Sequence, residues 1–118
     1  MSEEGTTGPA APAAALRAER ERVAARIRRL EATHAEFVSA SRDSNADDEH
    51  DPEGATIAFE RAQVEALLRE AVRRLADVDE ALARAERGGY GVCTACGRPI
   101  DPERLAVRPS ATRCVGCA

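Results

Sequence analysis

From about Ala13 the chain repeats its apolar positions every seven residues. One series carries Leu16, Val23, Leu30 and Phe37, and a second carries Ala13, Arg20, Ile27, His34 and Ser41. Two such series keep a narrow stripe on one side of a helix, the pattern of a coiled-coil seam, here weakened at Arg20 and His34. The pattern returns from about Ala55 to Arg87. Ile57, Val64, Ala71, Val78 and Ala85 form one series, and Arg61, Leu68, Leu75 and Leu82 the other. Leu67 and Val72 are expected to widen this second stripe. On its outer face Glu65 precedes Arg69, Glu70 precedes Arg74 and Glu80 precedes Arg84, each a helix-supporting pair four residues apart.

Punctuation between the repeats sets their ends. Asp51-Pro52 reads as an N-cap followed by proline at the first helical position, and Gly88-Gly89 reads as a helix stop. Residues 1–12 hold Gly, Pro, Ala and Thr without periodicity and are expected to form a disordered tail. The two helical stretches, about 29 and 33 residues, would each be about 45–50 Å long at 1.5 Å per residue. A short connector between two helices of equal length predicts an antiparallel hairpin over residues 13–88. A dimer of longer parallel helices is the competing arrangement, and the Asp51-Pro52 break argues against it.

Composition explains why the stripe must be narrow. Hydrophobic residues make up 43% of the chain, but 25 of them are alanine and only 20 are Val, Ile, Leu or Phe. That supply suits close helix-on-helix packing with an added staple, not a multilayer core. Acids outnumber bases 21 to 17, every base is arginine, and the net charge is −4. A general nucleic-acid binder would be basic and carry aromatic residues for stacking, so direct DNA binding is not expected. No stretch approaches a membrane span. The start, Met1-Ser2-Glu3-Glu4, leads into no apolar run, which points to the cytoplasm, where thiols stay reduced.

Four cysteines then need a role other than disulfides. Cys93, Cys96, Cys114 and Cys117 form C-x2-C-x17-C-x2-C, the spacing of a four-cysteine zinc site. With all four positions filled by thiolates there is no open site for water, so one structural Zn2+ is expected over residues 89–118. Redox disulfides or free thiols are the alternative. Gly97 permits a tight turn beside the first pair. Arg98, Arg104, Arg108 and Arg113 would offset the negative charge of a zinc tetrathiolate. Asp101-Pro102-Glu103 repeats the cap-and-proline signature and predicts a short helical turn.

Between Arg42 and Gly54 lie Asp43, Asp47, Asp48, Glu49, Asp51 and Glu53, with no base among them. They read either as a solvated loop of capping acids or as an acidic probe for a basic pocket or a bound metal in a partner. His34 reads as a packed or register-setting seam residue, and His50 as a cap or exposed residue. No Gly-rich phosphate loop and no nucleophile–base pair is present, so an enzyme is not expected.

The stretch Gly89-Tyr90-Gly91-Val92-Cys93-Thr94-Ala95-Cys96-Gly97, continued by Ile100, Arg104-Leu105, Arg108-Pro109, Cys114 and Cys117, resembles the signature of the DksA/TraR family of bacterial transcription regulators. The resemblance is firm over the last thirty residues and looser over the helices from residue 13. It implies a mainly α protein: a long antiparallel coiled-coil hairpin with a small C-terminal zinc-finger module. It further implies a monomer that binds RNA polymerase without binding DNA and inserts its hairpin tip into the secondary channel. Tip carboxylates would act near the catalytic magnesium. Asp47, Asp48, Asp51, Glu53 and Ala55 are the candidate tip residues. Asp48 and Asp51 supply the aspartates of the family's D-x-x-D-x-A motif with Glu53 in the alanine position; counted back from Cys93, Glu53 and Ala55 fill its last two positions instead. Arg108 matches a basic residue that helps family members bind guanosine tetraphosphate, whereas Asp77 and Ala118 stand where they carry lysine. Two other readings stay open: a zinc–thiol redox or stress sensor, and a structural coiled-coil adaptor.

Overall fold

The computed structural model describes residues 10–44 and 52–118, with side chains from 12–42 and 54–118. The described chain is mainly α. Helix α1 spans Ala10–Ser44, α2 spans Pro52–Glu86 and α3 spans Pro102–Val107. The only β pairing among the described residues is an isolated antiparallel bridge between Val92 and Pro99. Helix α1 starts at Ala10, so Ala10–Pro12, expected in the tail, join the helix. A proline in the first turn lacks only an N–H that would have had no helical partner. Residues 1–9 and the loop acids Asp47, Asp48, Glu49 and Asp51 lie outside the described residues.

The fold divides into two units, and both long helices run through each. The first unit joins the described residues up to Arg22 with Leu75–Ala118. Its core is Leu16, Val78 and Ala81, fully or almost fully buried, with Leu82, Ala85 and Tyr90 packed around them. Pro12 lies beside Ala85 and Gly88, Leu16 meets Val78 and Ala81, and Arg20 pairs with Asp79 at 2.6 Å. Advancing along α1 thus steps backward along α2, so the two helices pair antiparallel within one chain. Small Ala81 beside large Leu16 lets them approach closely.

The second unit is Val23–Arg74. Val23, Val64 and Ala71 are buried there, and Leu30, Phe37, Ile57 and Leu68 are half-buried. The expected weak points of the seam are met by polar partners: exposed Arg20 forms an ion pair with Asp79 in the first unit, and half-buried His34 hydrogen-bonds Glu65 at 2.8 Å in the second. Glu65 also accepts from Arg61 at 3.3 Å. The His34 hydrogen bond, then that of Arg61, holds the Glu65 carboxyl below its ordinary value.

Two expectations for α2 are corrected. Leu67 and Val72 do not widen the buried stripe, being 39% and 52% exposed. A single partner helix covers only a narrow strip, and no third layer among the described residues packs on these positions. The second correction is Arg84, whose guanidinium turns inward instead of pairing with Glu80 on the surface, as developed below.

Candidate metal centre and acidic connector

The metal module begins where α2 is stopped. Gly88 takes φ +84, which a side chain would strain. Its N–H donates to Ala85 O at 3.2 Å and the Gly89 N–H donates to Arg84 O at 2.8 Å, a complete Schellman closure. The chain then turns so that Tyr90 packs on the helical core. Its hydroxyl donates to Pro109 O at 2.8 Å, and burial pushes the phenol's pKa up.

Two limbs present the cysteines. In the first, the Cys93 N–H donates to Arg98 O and the Ile100 N–H to Gly91 O, both at 2.8 Å. This closes a small hairpin, and Gly97 at φ +78 lets its N–H return to Cys93 O at 2.9 Å. In the second limb the Cys117 N–H donates to Cys114 O at 3.0 Å. Thr94 ties the limbs together, its N–H and hydroxyl both donating to Thr112 O at 2.8 and 3.2 Å. Helix α3 bridges them as the cap-and-proline signature predicts. Asp101 accepts from the Glu103 N–H at 2.9 Å, Pro102 stands in the first turn, and Arg104 Nε donates to Arg113 O at 2.9 Å. Ile100 and Ala111 are the buried apolar residues beneath.

The four sulfurs of Cys93, Cys96, Cys114 and Cys117 all lie within 4.8 Å of one another. A Zn–S bond of about 2.3 Å sets tetrahedral S–S edges of about 3.8 Å, and Cys96 Sγ stands 3.8 Å from Cys114 Sγ. No disulfide joins them. Backbone hydrogen bonds, that of Cys114 first, pull the Cys93 thiol down to about 6. Facing the sulfurs of Cys114, Cys93 and Cys96 instead pushes the Cys117 thiol up to about 12. One thiolate forms readily, and further ones crowd against it until a dication takes the centre. Donor type, number and spacing therefore fit Zn2+. Cys93 is buried, Cys114 and Cys117 are partly covered, and Cys96 is exposed.

Arg98, Arg108 and Arg113 are exposed, and Arg104 is half-buried. The residue missed was Arg84, only 8% exposed. Its Nη2 donates to Gly89 O at 3.1 Å and to Val92 O at 2.7 Å. Its place four residues before Gly88-Gly89 was the available signal. Arg108 lines an open cleft of about 230 Å³ with Asp77, Arg104, Arg113 and Ala118.

Of the connector residues, Asp47, Asp48 and Asp51 fall outside the described residues, Glu53 is described only as backbone in the first turn of α2, and Ala55 is exposed on α2. No helix among the described residues is long and apolar enough to cross a membrane.

Paired helices carrying a four-cysteine module define the class: a C4 zinc-finger protein on a helical support. The sequence model of the prokaryotic dksA/traR C4-type zinc finger matches residues 88–118. Two curated relatives match parts of the chain: the RNA polymerase-binding transcription factor DksA of Caulobacter vibrioides, 46% identical over 41 residues, and the uncharacterized protein YteA of Bacillus subtilis, 37% identical over 68 residues. These matches cover 35% and 58% of this chain but only 29% and 28% of the relatives' own length. The solved structure of transcription factor DksA2 from Pseudomonas aeruginosa is similar over 91% of this chain and 80% of that one, with TM-score 0.58 and 29% identity. The C-terminal module thus matches the dksA/traR C4-type zinc-finger family, and the fold is similar to that of DksA2.

Proposed function

We propose that this protein is a non-enzymatic transcription regulator that binds RNA polymerase directly. The observation that carries the reading is the likeness to transcription factor DksA2 over 91% of the chain. The module's 46% identity to an RNA polymerase-binding DksA supports it. In this reading Cys93, Cys96, Cys114 and Cys117 hold one structural Zn2+, which supplies a fixed tetrahedral cross-link between the two limbs. The chain acts in the cytoplasm as a monomer and makes no sequence-specific DNA contact, in keeping with its net charge of −4.

The acidic connector enters the secondary channel, where Asp47, Asp48, Asp51 and Glu53, with Ala55 beside them, meet a basic, metal-containing site. Opposite charge steers such an encounter and fixes its register. Arg108 contacts polymerase or guanosine tetraphosphate. Three arginines in its cleft suit a polyphosphate, while Asp77 in the same cleft opposes one. Co-purification with core RNA polymerase and initiation assays on a promoter panel test the reading. Complex formation and altered initiation are expected; a protein that does neither refutes it.

A second reading rests on the exposure of Cys96, which leaves one zinc-ligand position open to oxidants. Zinc release under mild peroxide, with loss of polymerase binding, would support a redox sensor; unchanged zinc content would eliminate it.

A further inference from the structure

A zinc ion held by four thiolates leaves two negative charges to be balanced near the protein interior. Exposed Arg98, Arg108 and Arg113 face water, which screens them. Arg84 differs. It is the only arginine buried among the described residues, and it forms no ion pair with any described carboxylate. Glu80, one turn earlier, is exposed and lies 3.6 Å from Arg87 instead. Arg84 Nη2 is satisfied by the Gly89 and Val92 carbonyls, whereas Nη1 is buried with no hydrogen-bond partner. A guanidinium stays charged at any accessible pH, and a buried charge without a counter-ion is strongly unfavourable.

The carbonyl that Arg84 holds at 2.7 Å belongs to the peptide bond linking Val92 to Cys93, and Cys93 is the most buried of the four cysteines. The guanidinium therefore anchors the backbone immediately before Cys93. We propose that Arg84 is the buried counter-cation of the zinc tetrathiolate, a positioning residue that couples the metal to the end of α2. Metal and guanidinium then support each other. Zinc-bound thiolates offset the charge of Arg84, and Arg84 offsets theirs while fixing the carbonyl that orients Cys93. This inference rests on zinc occupancy of the cysteine site and is independent of polymerase binding.

The test measures zinc affinity by competition with a chromogenic chelator, together with melting of zinc-loaded and zinc-free protein. It uses the full chain as wild type, Arg84→Met, Arg84→Gln, Arg84→Lys and the exposed control Arg87→Met. Loss of a residue that supports metal ligands lowers affinity by about 10–100-fold, and that loss is expected for Met and Gln. Lys, which keeps the charge without the planar fork, should fall between them and wild type, and Arg87→Met should match wild type. The lost stability should appear only in the zinc-loaded form. Wild-type affinity in Arg84→Gln would overturn the proposal by showing that hydrogen bonding suffices. So would equal destabilisation of Arg84→Met with and without zinc, the mark of a merely structural role. If the Met variant fails to fold, the Lys–Gln comparison still decides. A wild-type chain that binds no zinc would overturn the cysteine-site reading and this inference together.

Discussion

Chelating the zinc should separate the two parts of the molecule that the structure stabilises by different means. Residues 90–118 contain two buried apolar side chains other than cysteine, Ile100 and Ala111, contributing about 3–4 kcal/mol by transfer. A structural zinc site contributes about 10–16 kcal/mol apparent at neutral pH, so the metal provides most of what orders this segment. The long helices instead bury Leu16, Val78 and Ala81 with one another. Chelator treatment is therefore expected to abolish amide protection at Cys93, Gly97 and Ile100, whose N–H groups are bonded within the module. Helix loss would be confined to α3 and fraying nearby. Helix α3 has 6 residues against 35 in each long helix, so the 222 nm circular dichroism should fall by less than about a tenth. Hydrogen exchange read by mass spectrometry or NMR measures both parts at once. Persistent protection in the module after complete zinc removal would refute the reasoning. Collapse of the 222 nm signal would equally show that the helices do not stand on their own core.

Other outcomes follow from single residues. Leu16→Ala removes a side chain with no solvent exposure and is expected to destabilise by about 3–5 kcal/mol, measurable by urea unfolding of the zinc-loaded protein; a loss below about 1 kcal/mol would contradict its central place. Glu65→Gln probes the His34–Glu65–Arg61 cluster. Because the Glu65 carboxyl is held below its ordinary value, its contribution is in place above roughly pH 4.3 and drains as pH falls through the lowered folded value. Wild type should therefore exceed Glu65→Gln in stability near neutrality, with the gap closing in acid; a gap that widens in acid would reverse the assignment. Replacing Asp48, Asp51 and Glu53 together by alanine should abolish the effect on initiation while leaving polymerase affinity largely intact, and retained activity would reduce these acids to solvating groups.

Much of the fold was legible because a seven-residue repeat constrains which positions face inward. Leu16, Val23, Val64, Ala71 and Val78, read from spacing alone, are buried, and Asp101 caps α3 through its side chain as the local sequence requires. The cysteines were legible because metal-ligand spacing is local within each limb, and closing the limbs needed only the module's own turns. Periodicity could not reveal how wide a strip the partner helix covers, which is why Leu67 and Val72 were misplaced. Nor could it reveal the direction of a long, flexible side chain. Arg84 and Glu80 have the spacing of a surface pair, but the carbonyls of Gly89 and Val92 converge on Arg84 only after the chain reverses at Gly88. Arg20 and His34 interrupt the apolar pattern, and only the fold supplies Asp79 and Glu65 to meet them.

In the proposed function the chain places its acidic connector inside RNA polymerase. A photo-crosslinking residue at exposed Ala55, in zinc-loaded protein mixed with core RNA polymerase, tests it most directly. A one-to-one complex is expected, with crosslinks to residues lining the secondary channel that unlabelled protein competes away. Absence of a complex, or a stable complex whose crosslinks all fall outside the channel, would contradict it.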